Sequence, residues 1–288
     1  MLRLILPALV FLAGAQPSTP DLQTRIQKLI DSSGAEVAVA LRSLDGRTHV
    51  LIDADKSFHA ASTMKVPVMI ELFRQAEAGT LKLDDQLPVK NEFHSIVDGS
   101  VYQMDVSDDS DGEVYKMAGK TMSLRDLCEA MITVSSNFAA NLLIERLGAK
   151  NVQATVDRLG GTGVRVLRGV EDQKAFDKGL NNVTTAGGLA ALFMHLARGT
   201  AVSAKADAEM IAILKRQKFN DALPAGVPPG TPVAHKTGTI TKIHHDGGIV
   251  YGPHPYVLVV LTRGIQDQKV SGPLMASISR EVWNALSK

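Results

Sequence analysis

Apolar side chains recur at Met64, Val68, Leu72 and Ala76, the spacing of a helix with one buried stripe. Similar stripes predict helices from Asp21 to Ile30, Ser123 to Ile132, Phe138 to Leu147 and Val152 to Leu159. Asp31-Ser32-Ser33-Gly34 closes the first, Ser123 opens the second with a capping-box-like start, and Gly148 is a C′ glycine. Thr184 is predicted to cap a helix to Arg198 and Ser203 one to Gln217, and a final amphipathic helix spans about Leu274 to Leu286.

A second pattern alternates. Glu36 to Leu44 reads as a strand, Asp45-Gly46 as a turn, and Thr48 to Ile52 as the returning strand of a hairpin. Pro232 to Thr237, Gly247 to Tyr251 and Tyr256 to Thr262 are further strands, after a turn-rich connector from Pro224 to Pro232. Val164 to Asn182 has no period, and so long a loop in a compact domain is usually functional. The order implies an α/β (α+β) fold: one antiparallel sheet built from both chain ends, flanked by the terminal helices, with an all-helical lobe inserted. The sheet lobe would cover about 21–60 and 218–288 and the helical lobe about 61–217, with a small-molecule cleft at their junction.

Composition narrows the function. At 288 residues and 45% hydrophobic, the chain can bury one large core or two intimate ones. A formal charge of +1, dispersed basic residues and 5% aromatics argue against nucleic acid or an anionic membrane as partner. Residues 1–15 resemble a secretory signal: Arg3, an apolar run from Leu4 to Leu12, then Ala13-Gly14-Ala15. That run is too short to span a bilayer, so no stable membrane span is expected after its removal, and the location is secreted or periplasmic. The lone Cys128 can close no internal disulfide and is read as a packing residue. The acidic run from Asp105 to Glu113 lacks the ligand pattern of a calcium loop and is read as a solvated surface loop. A monomer is the default.

The candidate chemistry starts at Ser62-Thr63-Met64-Lys65. Positions three apart share a helix face, so the Lys65 amine can reach the Ser62 hydroxyl. A lysine held neutral can take the proton that makes a serine nucleophilic, and a helix start stabilises negative charge developing beside it. Three other segments carry candidate partners: Ser135-Ser136-Asn137 at a break between helices, Glu171 on the long loop, and Lys236-Thr237-Gly238-Thr239 on a strand.

Together these segments resemble the class A serine β-lactamases, in the superfamily shared with penicillin-binding proteins and DD-peptidases. The likeness covers nearly the whole of 16–288, with an insertion around Asp105 to Lys120, and Glu171 follows Ser135 by 36 residues (171 − 135), close to the family's spacing. The resemblance implies β-lactam breakdown and antibiotic resistance, with Ser62 as nucleophile and Lys65, or Glu171 through a water, as its base. It implies that Ser135 protonates the leaving nitrogen, that Asn137, Lys236, Thr237, Gly238 and Thr239 bind substrate, and that Glu171 activates the deacylating water. The backbone N–H groups of Ser62 and Thr239 would form the oxyanion hole. No cofactor or metal is implied; the partner is a small molecule, a β-lactam or an acyl-D-Ala-D-Ala-like peptide.

Three departures are visible. Ser136 stands where the family usually has aspartate; Asp172 and Ala175 stand where it usually has a proline and an asparagine after the glutamate. Asn181 or Asn182 could substitute for that asparagine. Ile240 to His245 lacks an arginine for the substrate carboxylate, and Lys242 is a stand-in. The altered loop motivates the main rival, a DD-peptidase or esterase that deacylates slowly. A penicillin-recognising sensor ranks low, because no second domain is visible to receive a signal. A metallo-hydrolase built on His244-His245-Asp246 lacks paired-ligand spacing, and a turn between strands is the expected account.

Overall fold

The structure, a computed structural model, describes residues 19–287; the expected signal segment, residues 1–15, lies outside them. From α1 (Thr19–Ser33) the chain enters β1 (Glu36–Ser43) and returns along β2 (His49–Ile52). It then builds α2 (Lys65–Glu77), α3 (Leu124–Thr133), α4 (Asn137–Leu147), α5 (Ala149–Arg158), the short α6 (Gln173–Asp177), α7 (Ala186–Ala197) and α8 (Ala204–Leu214). Three adjacent strands follow, β3 (Val233–Ile240), β4 (Ile243–Val250) and β5 (Tyr256–Arg263), and α9 (Gln268–Leu286) ends the fold. The sheet order is β2-β1-β5-β4-β3 with every pair antiparallel, so the first long strand lies against the last, Glu36 opposite Arg263.

Alternation in β1 and β5 sorts side chains to two faces. Val37, Val39, Leu41, Leu258 and Val260 pack with Leu22 and Ile26 of α1 and Met275, Ile278 and Val282 of α9. Ala38, Ala40, Val257, Val259 and Leu261 share the other cluster with Leu189 and Phe193 of α7. Small residues let α7 lie close to the sheet: a Cβ on Gly247 would sit 3.4 Å from both Leu189 and Phe193 side chains. On α2, wholly buried Glu71 accepts from Arg74, Gln75 and Thr155 of α5. That network fixes the helix carrying Lys65. Among the described residues no helix is long and apolar enough to cross a membrane. Cys128 is buried in α3, and burial raises its thiol well above the usual range.

Several boundaries differ from the sequence reading. Thr185, not Thr184, caps α7, because Thr184 pairs with Phe58 in a two-stranded ladder while Thr185 Oγ1 accepts from Gly188 N. α8 stops at Leu214, and Gln217 instead donates to Ile132 O at 2.8 Å. α9 starts at Gln268, capped by Asp267, and carries Pro273 inside its second turn. His244, His245 and Asp246 are not a turn but buried residues in the first half of β4; the turn falls at Thr241-Lys242.

Candidate active site

Ser62 lies in a single 3₁₀ turn, Ala61–Met64, that runs into α2, so it sits one turn ahead of the α-helix proper. Lys65 opens α2 and is wholly buried. Its Nζ lies 2.6 Å from Ser135 O, 2.7 Å from Asn137 Oδ1, 3.1 Å from Ser62 Oγ and 3.2 Å from Ser135 Oγ. Two of these neighbours are carbonyl oxygens, which only accept. A neutral amine has two hydrogens and one lone pair; the carbonyls take the hydrogens, and the lone pair is left facing the two hydroxyls.

The break between α3 and α4 supplies Ser135 and Asn137. Ser135 holds φ at 60°, the left-handed region that costs a non-glycine residue about 1–3 kcal/mol. Ala61 (φ 45°) and Glu171 (φ 62°) are in the same region. Strained backbone therefore recurs beside the nucleophile, at the break and on the loop. Lys236, wholly buried on β3, donates to Ser135 Oγ at 2.9 Å and to Thr237 O at 2.9 Å. Gly238 is required by close approach: a Cβ there would lie 3.0 Å from Thr63 N and 3.1 Å from Ser62 N. Its absence lets β3 bring Thr237 and Thr239 to the edge of the Ser62 cavity.

Glu171 comes from the long loop, which contains the short α6. Its Oε1 accepts from Asn137 Nδ2 at 2.8 Å, so the Asn137 amide bridges Lys65 and Glu171. A cavity of about 630 Å³ is lined by Ser62, Asn137, Arg168, Glu171, Asp172 and Thr239, among others. An adjoining one of about 260 Å³ is lined by Ser62, Ser135, Asn137, Asp221, Thr237 and His244, among others. All four sequence segments thus meet at Ser62, bringing Lys65, Ser135, Asn137, Glu171, Lys236, Thr237, Gly238 and Thr239 around it.

Burial dominates the electrostatics. It lowers Lys65 to about 7, against the opposing pull of Asp109 and Glu171. It also holds Lys236 well below the usual lysine range, with the positive charge of Lys65 adding to the effect. Burial raises Glu171 to about 7, opposed by the Asn137 hydrogen bond and reinforced by Asp109 and Asp108. A lysine and a carboxylate that both change charge near neutrality, joined through one amide, can take up and return protons at modest cost.

Other expectations change. Asn182 is not free to hold a water: Oδ1 accepts from Leu167 N at 2.8 Å and Nδ2 donates to Arg168 O at 2.9 Å. Asn181 accepts from the Arg168 guanidinium at 3.1 Å. Asp172, in the proline position, accepts from Ser95 Oγ and Ile96 N, both at 2.9 Å, and caps α6. Lys242 is exposed on the β3–β4 turn, outside the residues lining either cavity. The acidic run is not a detached surface loop, since Asp109 and Ser110 bond to the α3–α4 break and Asp108 lines both cavities. On β4, Asp246 pairs with His235 at 2.9 Å, while His245 Nδ1 accepts from Thr262 N and Nε2 reaches His59 O at 3.0 Å. That pattern puts the His245 proton on Nε2, and burial lowers the ring to about 4, so it is a neutral brace for the segment leading to Ser62.

Some contributors left no trace in the residue-by-residue reading. Asn141 Oδ1 accepts from Val170 N at 2.7 Å and its Nδ2 donates to Val170 O at 3.0 Å, clamping the residue before Glu171. Gly169 makes room for that amide, because a Cβ there would come within 2.4 Å of Asn141 Oδ1. Asn141 falls at a buried helical position, where an asparagine could have signalled a required partner.

This sheet, inserted helical lobe and serine–lysine cavity define the fold class shared by β-lactamases and penicillin-binding proteins. The profile of the β-lactamase enzyme family matches residues 21–286, and the chain belongs to that family. It is 27% identical over 282 residues to a β-lactamase of Citrobacter koseri, covering 96% of this chain and 92% of that one. It is 30% identical over 270 residues to the β-lactamase AST-1 of Nocardia asteroides, covering 91% and 83%. Among solved structures, the penicillin-binding protein PBP-A superposes with a TM-score of 0.80 at 25% identity, covering 92% of this chain and 95% of that one. A mutant of PBP-A is known as an acyl-enzyme complex with penicillin G. Family membership supports hydrolysis of β-lactams as the general activity.

Proposed function

We propose that the protein opens β-lactam rings through an acyl-enzyme on Ser62 and releases the product with water activated by Glu171. The observation that carries this reading is Lys65 Nζ, 3.1 Å from Ser62 Oγ and within 2.7 Å of two carbonyl oxygens, Ser135 O and Asn137 Oδ1. Lys65 takes the Ser62 proton as Oγ bonds to the lactam carbonyl carbon. The backbone N–H groups of Ser62 and Thr239 receive the oxyanion. Lys65 then passes the proton to Ser135 Oγ, 3.2 Å away, which hands its own to the lactam nitrogen as the C–N bond breaks. Lys236 donates to that hydroxyl and, with Thr237 and Thr239, meets the substrate carboxylate. In the second half Glu171 takes a proton from water as its oxygen attacks the ester, and Ser62 recovers a proton as it leaves.

In this reading the protein acts after export, as a class A-type enzyme, and its activity removes β-lactam antibiotics before they reach their targets. A second reading rests on the loop. Asp172 and Ala175 replace the usual proline and asparagine, and the nearby asparagines are spent on loop backbone and Arg168. Slow deacylation, as in a DD-peptidase or esterase of the same fold, follows if no other group steadies the water. Intact-mass spectrometry after penicillin treatment separates the two. An adduct on Ser62 that clears rapidly to free enzyme supports the lactamase, a long-lived one supports the peptidase or esterase, and no adduct overturns both.

A further inference from the structure

α4 begins at the break that carries Ser135, and its first four N–H groups have no partners inside the helix. Two are met nearby: Ser136 N donates to Ala130 O at 3.1 Å and Ala139 N to Ser136 Oγ at 3.3 Å. The other two reach across to the insertion. Asn137 N donates to Asp109 at 2.8 Å (Oδ1) and 3.0 Å (Oδ2), and Phe138 N to Asp109 Oδ2 at 2.9 Å. The neighbouring Ser110 hydroxyl grips the other side of the break, 2.9 Å from Val134 O and 3.0 Å from Ser135 O. Ser135 O is also the closest neighbour of Lys65 Nζ, and Asn137 carries the amide that joins Lys65 to Glu171.

The Ser135-Ser136-Asn137 element has no acidic side chain of its own, and the insertion supplies one. We propose that Asp109 is a positioning residue of the Ser62 site, its carboxylate fixing the first turn of α4 so that Ser135 and Asn137 present their oxygens to Lys65. The strained φ of 60° at Ser135 gives this hold something to do, since such a conformation persists only where its surroundings over-determine it. A carboxylate is also the side chain favoured at the positive end of a helix.

The same carboxylate is a fixed negative charge. Lys65 faces Lys236 from β3, Glu171 from the loop and Asp109 from the insertion; Glu171 faces Lys65, Asp109 and Asp108. Arg168 and Asp172 flank the same cavity, and the Tyr102 and Tyr115 hydroxyls nearby stay neutral because burial raises them. Negative charge at Asp109 holds protons on both Lys65 and Glu171, so removing it moves both midpoints down, and the acid limb of acylation follows whichever group is the base.

This inference rests on the acyl-enzyme reading, and the experiment keeps the two separable. Asp109→Asn, Asp109→Ala and, as a charge control in the same insertion, Asp111→Asn are compared with the parent protein. The Lys65 titration is followed by ¹³C-lysine NMR, with its signal assigned by its loss in Lys65→Arg. Acylation of Ser62 by benzylpenicillin is followed by intact mass across pH. Asp109→Asn is expected to lower the Lys65 midpoint by about 0.5 to 1 unit. Both Asp109 variants are expected to slow acylation about tenfold, with Asp111→Asn unchanged on both readouts. Unchanged Lys65 titration and acylation in both Asp109 variants, with only a lower Tm, would reduce Asp109 to a helix cap and overturn the proposal. A shift of the same size in Asp111→Asn would overturn it too. If the parent is not acylated, the enzymatic reading falls while the Lys65 titration still decides the role of Asp109.

Discussion

The two sides of the Ser62 cavity are built differently. On one side Lys65 and Lys236 are wholly buried, and the ends of α2, α4 and β3 lock them to Ser62, Ser135 and Asn137 through contacts of 2.6 to 3.2 Å. On the other side Glu171 is half-exposed on a loop, and Asn137 is the one side-chain partner of its carboxylate among the described residues. Packing of regular elements over-determines the first side. Point clamps on a loop backbone, from Asn141, Asn182 and Arg168, determine the second. In the proposed reaction the first side makes the acyl-enzyme and the second removes it, so release can vary while acylation stays fixed.

The sharpest break of this contrast is Ser62→Ala, expected to abolish the covalent adduct and cut turnover on the order of 10⁴-fold or more, read by intact mass and a chromogenic cephalosporin. Next is Glu171→Gln. Acylation should survive while release slows by about 10²–10⁴, so the adduct accumulates; a variant that clears its adduct at the parental rate would end the division into two halves. Asn141→Ala should act in the same direction more weakly, slowing release about tenfold with acylation nearly unchanged. Because Asn141 is buried, the change should also cost about 1–3 kcal/mol of stability, measured by denaturant unfolding.

A subtler test is stability against pH. Burial raises Glu171 from its ordinary value of 4.5 to about 7. Between those values the folded state binds more protons than the unfolded one, so this group makes stability fall as pH rises through that window. Glu171→Gln removes the effect: its Tm should match the parent near pH 4 and exceed it by a few degrees at pH 8. Lys65 works oppositely, because lowering it from 10.5 to about 7 makes stability rise with pH across that interval. Lys65→Met should flatten that rise. The smallest effect belongs to Lys242→Ala, expected to leave kcat/KM within about twofold, since the residue is exposed on the turn and lines neither cavity.

Much of the molecule was legible from order alone. The strand from Glu36 and the helix after Ser62 form where the sequence puts them, but burial does not follow their periods: Val37 to Leu41 is buried on both faces and α2 is buried all round from Lys65 to Phe73, because neighbouring elements cover both sides. Ser62, Lys65, Ser135, Asn137, Glu171 and Lys236 were legible because their types and spacings form a known constellation, and the structure brings them together. Thr184 was misplaced because its strand partner, Phe58, is far away in sequence, whereas His244-His245-Asp246 pairs with the adjacent strands β3 and β5 and was misplaced because its polar side chains hid a buried strand. The acidic run looked solvated because the α4 N–H groups that Asp109 meets lie 28 and 29 positions away.

The sequence by itself determined which elements form and which side chains can carry the chemistry, since periodicity, capping and residue type are local properties. Tertiary structure alone decided that Asp109 meets the N-terminus of α4, that Asn141 clamps Val170, and that Lys65 is dry enough to sit near 7. Those outcomes depend on desolvation and on hydrogen bonds between residues 28 or more positions apart, which no local pattern encodes.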